Sequence, residues 1–285
     1  GFQNVFVVKE QEMPDGCFPT CPYPNPEIEQ AMELGIRDAK HLNCDLLLAT
    51  DPDCDRVGVG VKSGCEYLLL SANEIGMLLL EYICKRRSAS GSMPCRPLMM
   101  KTIVTIDMAE RIASEYGVDT VNVLTGFKYI GEQIGLLEEK GEEERFIFGF
   151  EESYGYLAGE FVRDKDAVIA SMLIAEMTLY YKEQGMSLYE ALIKLYEKYG
   201  FYKETLISIE LEGKEGQEKI ASCIDALRNS PIESVEGVKI STKLDYKLSL
   251  EESNGVKSEI KLPKSNVLKY ILEDGSSFVV RPSGT

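Results

Sequence analysis

Between Glu27 and Tyr199 short apolar runs bounded by polar turns alternate with longer stretches that carry apolar residues at helical spacing. That rhythm confines the chain to an α/β architecture, because a strand and a helix each bury one side and can do so against each other. Val5–Lys9 (VFVVK) reads as a buried strand. A Pro/Gly/Cys-rich loop follows and ends at Pro22-Tyr23-Pro24-Asn25-Pro26. Glu27 opens a helix with its stripe at Ile28, Ala31, Leu34, Ile36 and Ala39, and Asp45–Thr50 (DLLLAT) is a second apolar run. Strand, helix, strand predicts a parallel βαβ unit. Val57, Val59 and Val61 alternate as a further strand, with glycines at 58 and 60 where side chains would otherwise stand. Ser71–Cys84 is helical, with Ser71 and Glu74 in capping-box register.

Arg87–Pro97 (RSASGSMPCRP) has the composition of a linker, and beyond it the rhythm restarts. Leu98–Thr105, Thr120–Val123 and Arg145–Phe150 read as strands; Asp107–Tyr116, Lys128–Lys140, Asp166–Gln184 and Ser187–Tyr199 read as helices. After Gly200 the pattern becomes β-rich, with Thr205–Leu211, Val238–Tyr246, Ser258–Leu262, Val267–Leu272 and Ser277–Val280 around one helix near Glu218–Arg228. This predicts a separate α+β domain.

The 285 residues suit about two or three domains, and 44% hydrophobic with 27% charged residues excludes a chain disordered throughout. A net charge of −16 makes nucleic acid and anionic membrane poor partners, while leaving room for a small anionic substrate where positive groups gather locally. No apolar run approaches the roughly 18 residues of a membrane helix. Eight cysteines are too sparse to staple a chain of this length, so they read as reduced thiols of a cytoplasmic protein. Cys17 and Cys21 are spaced like half of a zinc site, but no second close pair follows and His41 is the only histidine. The start at Gly1 lacks a signal sequence and an initiator Met, and the expectation is a piece of something longer.

Five loops carry residues suited to chemistry. Asp51-Pro52-Asp53-Cys54-Asp55-Arg56 sets three carboxylates at alternate positions between two strands. Curled, such a loop converges on a hard cation and leaves coordination places for water or a phosphate oxygen, a Mg²⁺ habit, with Arg56 beside it to hold the phosphate. An EF-hand is excluded, since its sixth and twelfth places need Gly and Glu and here hold Arg56 and Lys62. Spacing alone leaves the metal loop and a solvated acidic turn equally open. Glu151 and Ser153, in Gly149–Gly155 (GFEESYG), can face one side and meet neighbouring sugar hydroxyls, or simply form a polar turn. Lys165, in Arg163–Asp166, stands in mixed charge before a helix, as an acid, a phosphate ligand or a cap. Thr125-Gly126-Phe127 offers a hydroxyl and an unhindered backbone at a helix start, which suits an anion or serves structure alone. Arg281-Pro282-Ser283-Gly284-Thr285 holds the inventory of a phosphate cradle or an ordinary turn.

Taken together and in this order, DPDCDR, TGFKYI, GFEESYG, VRDKD and RPSGT resemble the α-D-phosphohexomutase family, the phosphoglucomutases and phosphomannomutases. The similarity extends to PDGCFPT and YPNPE and so covers essentially the whole chain. Members have four domains around a cleft and move a phosphoryl group between C1 and C6 of a hexose through a phosphoserine and a bisphosphorylated intermediate. The resemblance implies Mg²⁺ on Asp51, Asp53 and Asp55, catalytic roles for Arg56 and Lys165, and sugar reading by Glu151 and Ser153. It further implies a second substrate loop at Thr125, Gly126 and Phe127, a phosphate loop at Arg281, Ser283, Gly284 and Thr285, and glucose 1,6-bisphosphate as activator.

The fold implied is two consecutive phosphohexomutase-type α/β domains, mixed sheets flanked by helices, plus a partial α+β domain: domain 2 over 1–94, domain 3 over 95–202 and part of domain 4 over 203–285. No Ser-His-Asn-Pro-like segment occurs in the chain, so the expectation is a fragment of a mutase, inactive alone. Glucose phosphate is the expected substrate, with mannose and pentose phosphates as alternatives, and oligomeric state is not readable. Two other classes remain at this point: a non-catalytic sugar-phosphate-binding protein, and a phosphatase of the haloacid-dehalogenase kind with Asp51 as nucleophile.

Overall fold

A computed structural model describes residues 2–282. The chain divides into two compact units, 1–203 and 204–285, and no described helix is long and apolar enough to cross a membrane.

The first unit begins with an extended segment and a short 3-10 turn, Lys9–Gln11. The strand expected at Val5–Lys9 does not form: among the described residues it joins no ladder, and Val5, Phe6 and Val7 are more than half exposed. A run of apolar residues becomes a strand only where its backbone groups find a partner edge. The parallel βαβ unit expected there is consequently replaced by an antiparallel meander. Helix α1 (Glu29–Leu42) precedes β1 (Leu46–Thr50), β2 (Val57–Ser63) and β3 (Glu66–Leu70), in sheet order β1-β2-β3. The β1–β2 pair has Thr50 opposite Val57, and a six-residue connection is too short for a parallel crossover. Val57, Val59 and Val61 are fully buried in the main core, worth ~1.5–3 kcal/mol each against exposure. On the opposite face the glycines admit neighbours. A Cβ on Gly58 would stand 2.8 Å from Pro26, and one on Gly60 3.3 Å from Leu47.

Helix α2 (Ala72–Ser90) starts with the expected capping box of Ser71 and Glu74. It runs through part of the linker-like stretch to Gly91, whose φ of +69° ends it in the left-handed region. The second sheet has the order β5-β4-β6-β7. Its strands β4 (Leu98–Thr102), β5 (Asp119–Val123) and β6 (Phe146–Phe150) are parallel, and β7 (Tyr156–Leu157) is antiparallel to β6. Helices α3 (Met108–Glu115), α4 (Lys128–Glu138), α5 (Ala167–Glu183) and α6 (Leu188–Tyr199) flank it. The alternation along β4 sorts the layers: Leu98 and Met100 pack with Ile130, Ile134 and Leu137 of α4, while Met99 joins the core shared by α2, α3, α5 and α6.

The second unit has α7 (Gly213–Asn229) and an antiparallel sheet of order β11-β10-β9-β12-β13, with β8 (Ser234–Val235) pairing β9. Its strands are β9 (Val238–Asp245), β10 (Leu250–Ser253), β11 (Val256–Glu259), β12 (Leu268–Leu272) and β13 (Ser277–Val280). Ile224 of α7 packs on Leu268 and Tyr270. The strand expected at Thr205–Leu211 is absent: Leu206, Ile207 and Ile209 are at least 75% exposed and pair with no edge among the described residues. Strand β10 has charged residues at Glu251 and Glu252, which hid it from the apolar pattern.

Candidate functional site

The acidic loop curls as its spacing suggests. Cys54, at φ +58°, turns the chain, and its N–H donates to the Asp51 carbonyl at 3.1 Å. Asp51 Oδ1 accepts from the backbone N–H of Asp55 at 3.0 Å and of Arg56 at 2.9 Å. Asp51, Asp53 and Asp55 then each present one oxygen within 4.8 Å of the others. The Arg56 guanidinium lies over this loop, with Nε 3.7 Å from Asp51 Oδ2 and from Asp55 Oδ1. Its other side donates to Glu27 Oε1 at 3.2 Å.

The acidic loop and the turn after β6 are stitched together. Arg56 and Gly155 form an antiparallel bridge, Val57 N–H donates to the Tyr154 carbonyl at 3.2 Å, and Ala167 N–H to the Cys54 carbonyl at 3.2 Å. The Lys165 stem crosses the space a Cβ on Gly155 would fill, 2.3 Å from Cδ. Its ammonium thereby reaches Asp55 Oδ2 at 2.8 Å and lies 6.0 Å from the Phe127 ring centre.

Glu151 is 5% exposed, and its Oε1 accepts from Gly126 N–H at 2.9 Å. Gly126 holds φ +108° to present that group, a conformation open chiefly to glycine. Thr125 precedes it and Ser153 shares the turn with Glu151, both half-buried. Seven of the eleven expected site residues outside the triad (Arg56, Lys165, Thr125, Gly126, Phe127, Glu151 and Ser153) therefore gather with it in one unit. Arg281 is exposed in the second unit, and Ser283, Gly284 and Thr285 lie outside the described residues.

Three participants were not singled out by sequence reasoning. Glu27 holds Arg56, although YPNPE marked its segment. Glu152 Oε2 accepts from Thr102 Oγ1 at 3.0 Å and Thr105 Oγ1 at 3.2 Å, which ties the turn to the end of β4. Gly155 makes room for Lys165. Nothing in the spacing of these residues announces such contacts across ten to fifty positions.

Electrostatically the site holds opposed demands. Burial, with the neighbouring carboxylates of Asp55 and Asp53, pushes Asp51 up to about 6. Burial is the largest influence on Asp55 and acts to raise it, but the hydrogen bonds of Lys165 and Asp51 and the charges of Lys165 and Arg56 together outweigh it and leave the carboxyl below the usual range. Burial, then the charge of Glu152, pushes Glu151 up to about 7 against the pull of the Gly126 N–H. Asp55 Oδ1 is buried without a hydrogen-bond partner among the described residues. A hard cation suits this set: it would satisfy that oxygen and offset the crowding of three carboxylates, with oxygen-only ligands and places left for water or phosphate.

Comparison with known proteins agrees with this geometry. Residues 1–64 match the sequence model of phosphoglucomutase/phosphomannomutase alpha/beta/alpha domain II, and residues 71–199 that of domain III. The chain is 35% identical over 288 residues to a phosphoglucomutase of Staphylococcus haemolyticus (strain JCSC1435), covering 100% of itself and 51% of that protein. It is 35% identical over 287 residues to a phosphoglucomutase of Staphylococcus aureus (strain MRSA252), with 100% and 50% covered. It thus spans about half the length of the curated relatives it matches. In fold it is similar to a phosphoglucomutase/phosphomannomutase family protein from Burkholderia thailandensis, at TM-score 0.55 and 17% identity over 85% of this chain and 47% of that one. It is also similar to pp63/parafusin, a phosphoglucomutase from Paramecium, at TM-score 0.53 and 17% identity over 85% of this chain and 38% of that one. With both domain models matched in order and the acidic loop closed as its motif requires, the chain belongs to the α-D-phosphohexomutase family.

Proposed function

We propose that this chain forms the metal- and sugar-binding part of a phosphosugar mutase that interconverts hexose 1-phosphate and 6-phosphate, glucose phosphate being the preferred substrate and mannose or pentose phosphates the alternatives. The observation that carries the reading is the junction of two motifs far apart in sequence. The carboxylate triad with Arg56 and the Glu151 turn meet through Lys165, which bonds Asp55 and influences Glu151. A phosphatase or a passive binding protein has no need of all three together.

In this reading Asp51, Asp53 and Asp55 hold Mg²⁺, which when bound supplies positive charge to the phosphoryl group in transfer. Arg56 adds a fixed guanidinium against the same group, since its Nε is buried without a hydrogen-bond partner among the described residues and has a proton to give. Lys165, half-buried and within reach of the triad, carries the proton to or from the sugar oxygen. Glu151 and Ser153 accept from and donate to ring hydroxyls, and Thr125–Phe127 present backbone beside them. Arg281, with Ser283, Gly284 and Thr285, grips the phosphate that is not being transferred. Glucose 1,6-bisphosphate serves as activator by supplying the phosphoryl group that primes the enzyme.

The sequence has no Ser-His-Asn-Pro-like nucleophile segment, so the chain as given is expected to bind glucose 1-phosphate without turning it over. Calorimetry with glucose 1-phosphate should show Mg²⁺-dependent binding that Asp53→Ala abolishes. Formation of glucose 6-phosphate by this chain, with Mg²⁺ and a trace of glucose 1,6-bisphosphate, would place a nucleophile inside these residues and refute the assignment of roles.

A further inference from the structure

The guanidinium of Arg56 is gripped from outside the metal loop, and the grip is assembled from parts that look unrelated in sequence. Asn25 makes a turn: its side-chain oxygen accepts from Glu27 N–H at 3.0 Å and its carbonyl from Ile28 N–H at 3.0 Å. Between them Pro26 is buried against Gly58 of β2. The fit depends on the missing side chain, because a Cβ at Gly58 would stand 2.8 Å from both Pro26 Cβ and the Pro26 carbonyl oxygen. Docking of Pro26 two residues along the strand from Arg56 delivers the Glu27 carboxylate to the guanidinium, where Oε1 accepts at 3.2 Å. The side chains are 29% and 36% exposed, so this pair contributes little to stability. Its effect is directional. With one arm of the planar fork held by Glu27, Nε faces Asp51 and Asp55 at 3.7 Å, too far to bond them and unpartnered among the described residues.

We propose that Glu27 is a positioning residue that aims the Arg56 guanidinium at a phosphate bound beside the carboxylate triad, with Pro26 seated on Gly58 as the fulcrum. This rests on the reading above that Arg56 contacts the phosphoryl group. A fork held from behind loses less freedom on meeting its anion than one that must first be oriented. Freed from Glu27, the guanidinium would sample other orientations over the solvent-facing side of the loop and meet its phosphate less often.

The test is phosphate binding by calorimetry with saturating Mg²⁺ and inorganic phosphate, on the chain and on Glu27→Ala, Glu27→Gln, Gly58→Ala, Arg56→Ala and the Glu27→Ala/Arg56→Ala pair. Glu27→Ala should weaken Mg²⁺-dependent phosphate binding by about five- to tenfold while Mg²⁺ affinity measured without phosphate stays within about twofold. Glu27→Gln keeps an acceptor oxygen and should recover most of the loss, and Gly58→Ala should reproduce it by displacing Pro26. In the Arg56→Ala background Glu27→Ala should add nothing. Additive losses in the double variant, or an equal loss of Mg²⁺ affinity in Glu27→Ala, would overturn the positioning role and leave the reading of Arg56 standing. Unchanged phosphate affinity in Arg56→Ala alone would overturn both.

Discussion

Replacing Lys165 with methionine should tighten Mg²⁺ binding by the chain. The methionine keeps a stem to fill the space over Gly155, where a Cβ would meet Lys165 Cγ at 2.7 Å and Cδ at 2.3 Å. What it removes is the ammonium 2.8 Å from Asp55 Oδ2. A cation bound through Asp55 would stand about 5 Å from that ammonium, taking the ion-pair distance with a metal–oxygen bond of ~2.1 Å. Charges of +1 and +2 at ~5 Å repel by ~1.7 kcal/mol even at the dielectric of water, and more where solvent is partly excluded. Lys165 is 16% exposed, so the water figure is a lower bound. Roughly tenfold or more in Mg²⁺ affinity follows. Titration calorimetry at pH 8, with no sugar phosphate, reads it directly, and that pH keeps the Asp55 carboxyl ionised after its partner is gone. An unchanged or weaker Mg²⁺ affinity in Lys165→Met would refute the idea that this ammonium competes for the metal loop.

Glu151 offers a pH test. Its folded value, about 7, lies above the 4.5 of a free side chain. The unfolded chain therefore gives up this proton first, and the folded state bears the cost of ionising it. Stability is undiminished below about pH 4.5, falls as pH rises toward 7 and is lowest above that, by up to ~3 kcal/mol. Glu151→Gln should remove that slope, so that urea unfolding at pH 5 and pH 8 differs less in the variant; an equal slope in both would exclude Glu151 as its source. Gly76→Ala on α2 sets a Cβ 2.2 Å from the Phe150 ring. Overpacking of this kind costs ~1–3 kcal/mol, hence a fall in Tm of about 2–12 °C for a unit of this size. Because Glu151 follows Phe150, glucose 1-phosphate affinity should fall with it. A Tm within 1 °C of the parent, on the order of 0.3 kcal/mol, would show that the helix shifts freely.

Much of this architecture was legible because local signals agree with the fold. The Ser71/Glu74 box, the β4 alternation and the elements of the second sheet stand where their periodicity puts them. The misreadings share a cause. Val5–Lys9 and Thr205–Leu211 have strand composition, yet strand formation is settled by whether an edge accepts the backbone, and no window of sequence contains that edge. The antiparallel meander was within reach, since the six residues between β1 and β2 are too few for a crossover. In the site, the triad and Glu151 were readable from spacing and family likeness. Glu27, Glu152 and Gly155 were not, because each acts through a neighbour brought to it by folding. The glycines at 58 and 155 are the clearest case: sequence shows only that a side chain is missing, and structure shows that Pro26 and Lys165 occupy the places left.

The placement of those contacts explains how two loops a hundred residues apart are held side by side. The acidic loop opens β2 and the Glu151 turn closes β6, in different sheets, so neither sheet's own ladder fixes their separation. That is done by the Arg56–Gly155 bridge, the Val57 to Tyr154 bond and the Ala167 to Cys54 bond, all main-chain. Main-chain bonds carry no charge, so they hold the loops in register whatever the protonation of the carboxylates between them. The charged contacts of Lys165 and Glu27 are then free to respond to the occupant. Under the proposed function, a phosphate drawn toward Arg56 would change the field at the triad, and a sugar hydroxyl on Glu151 would change it at Lys165, over a distance that the backbone does not allow to vary. Substitutions that break a side-chain contact should therefore alter affinity for one ligand at a time. Those that break the bridge, such as a proline at Val57, whose N–H is one of its donors, should lower affinity for metal and sugar phosphate together.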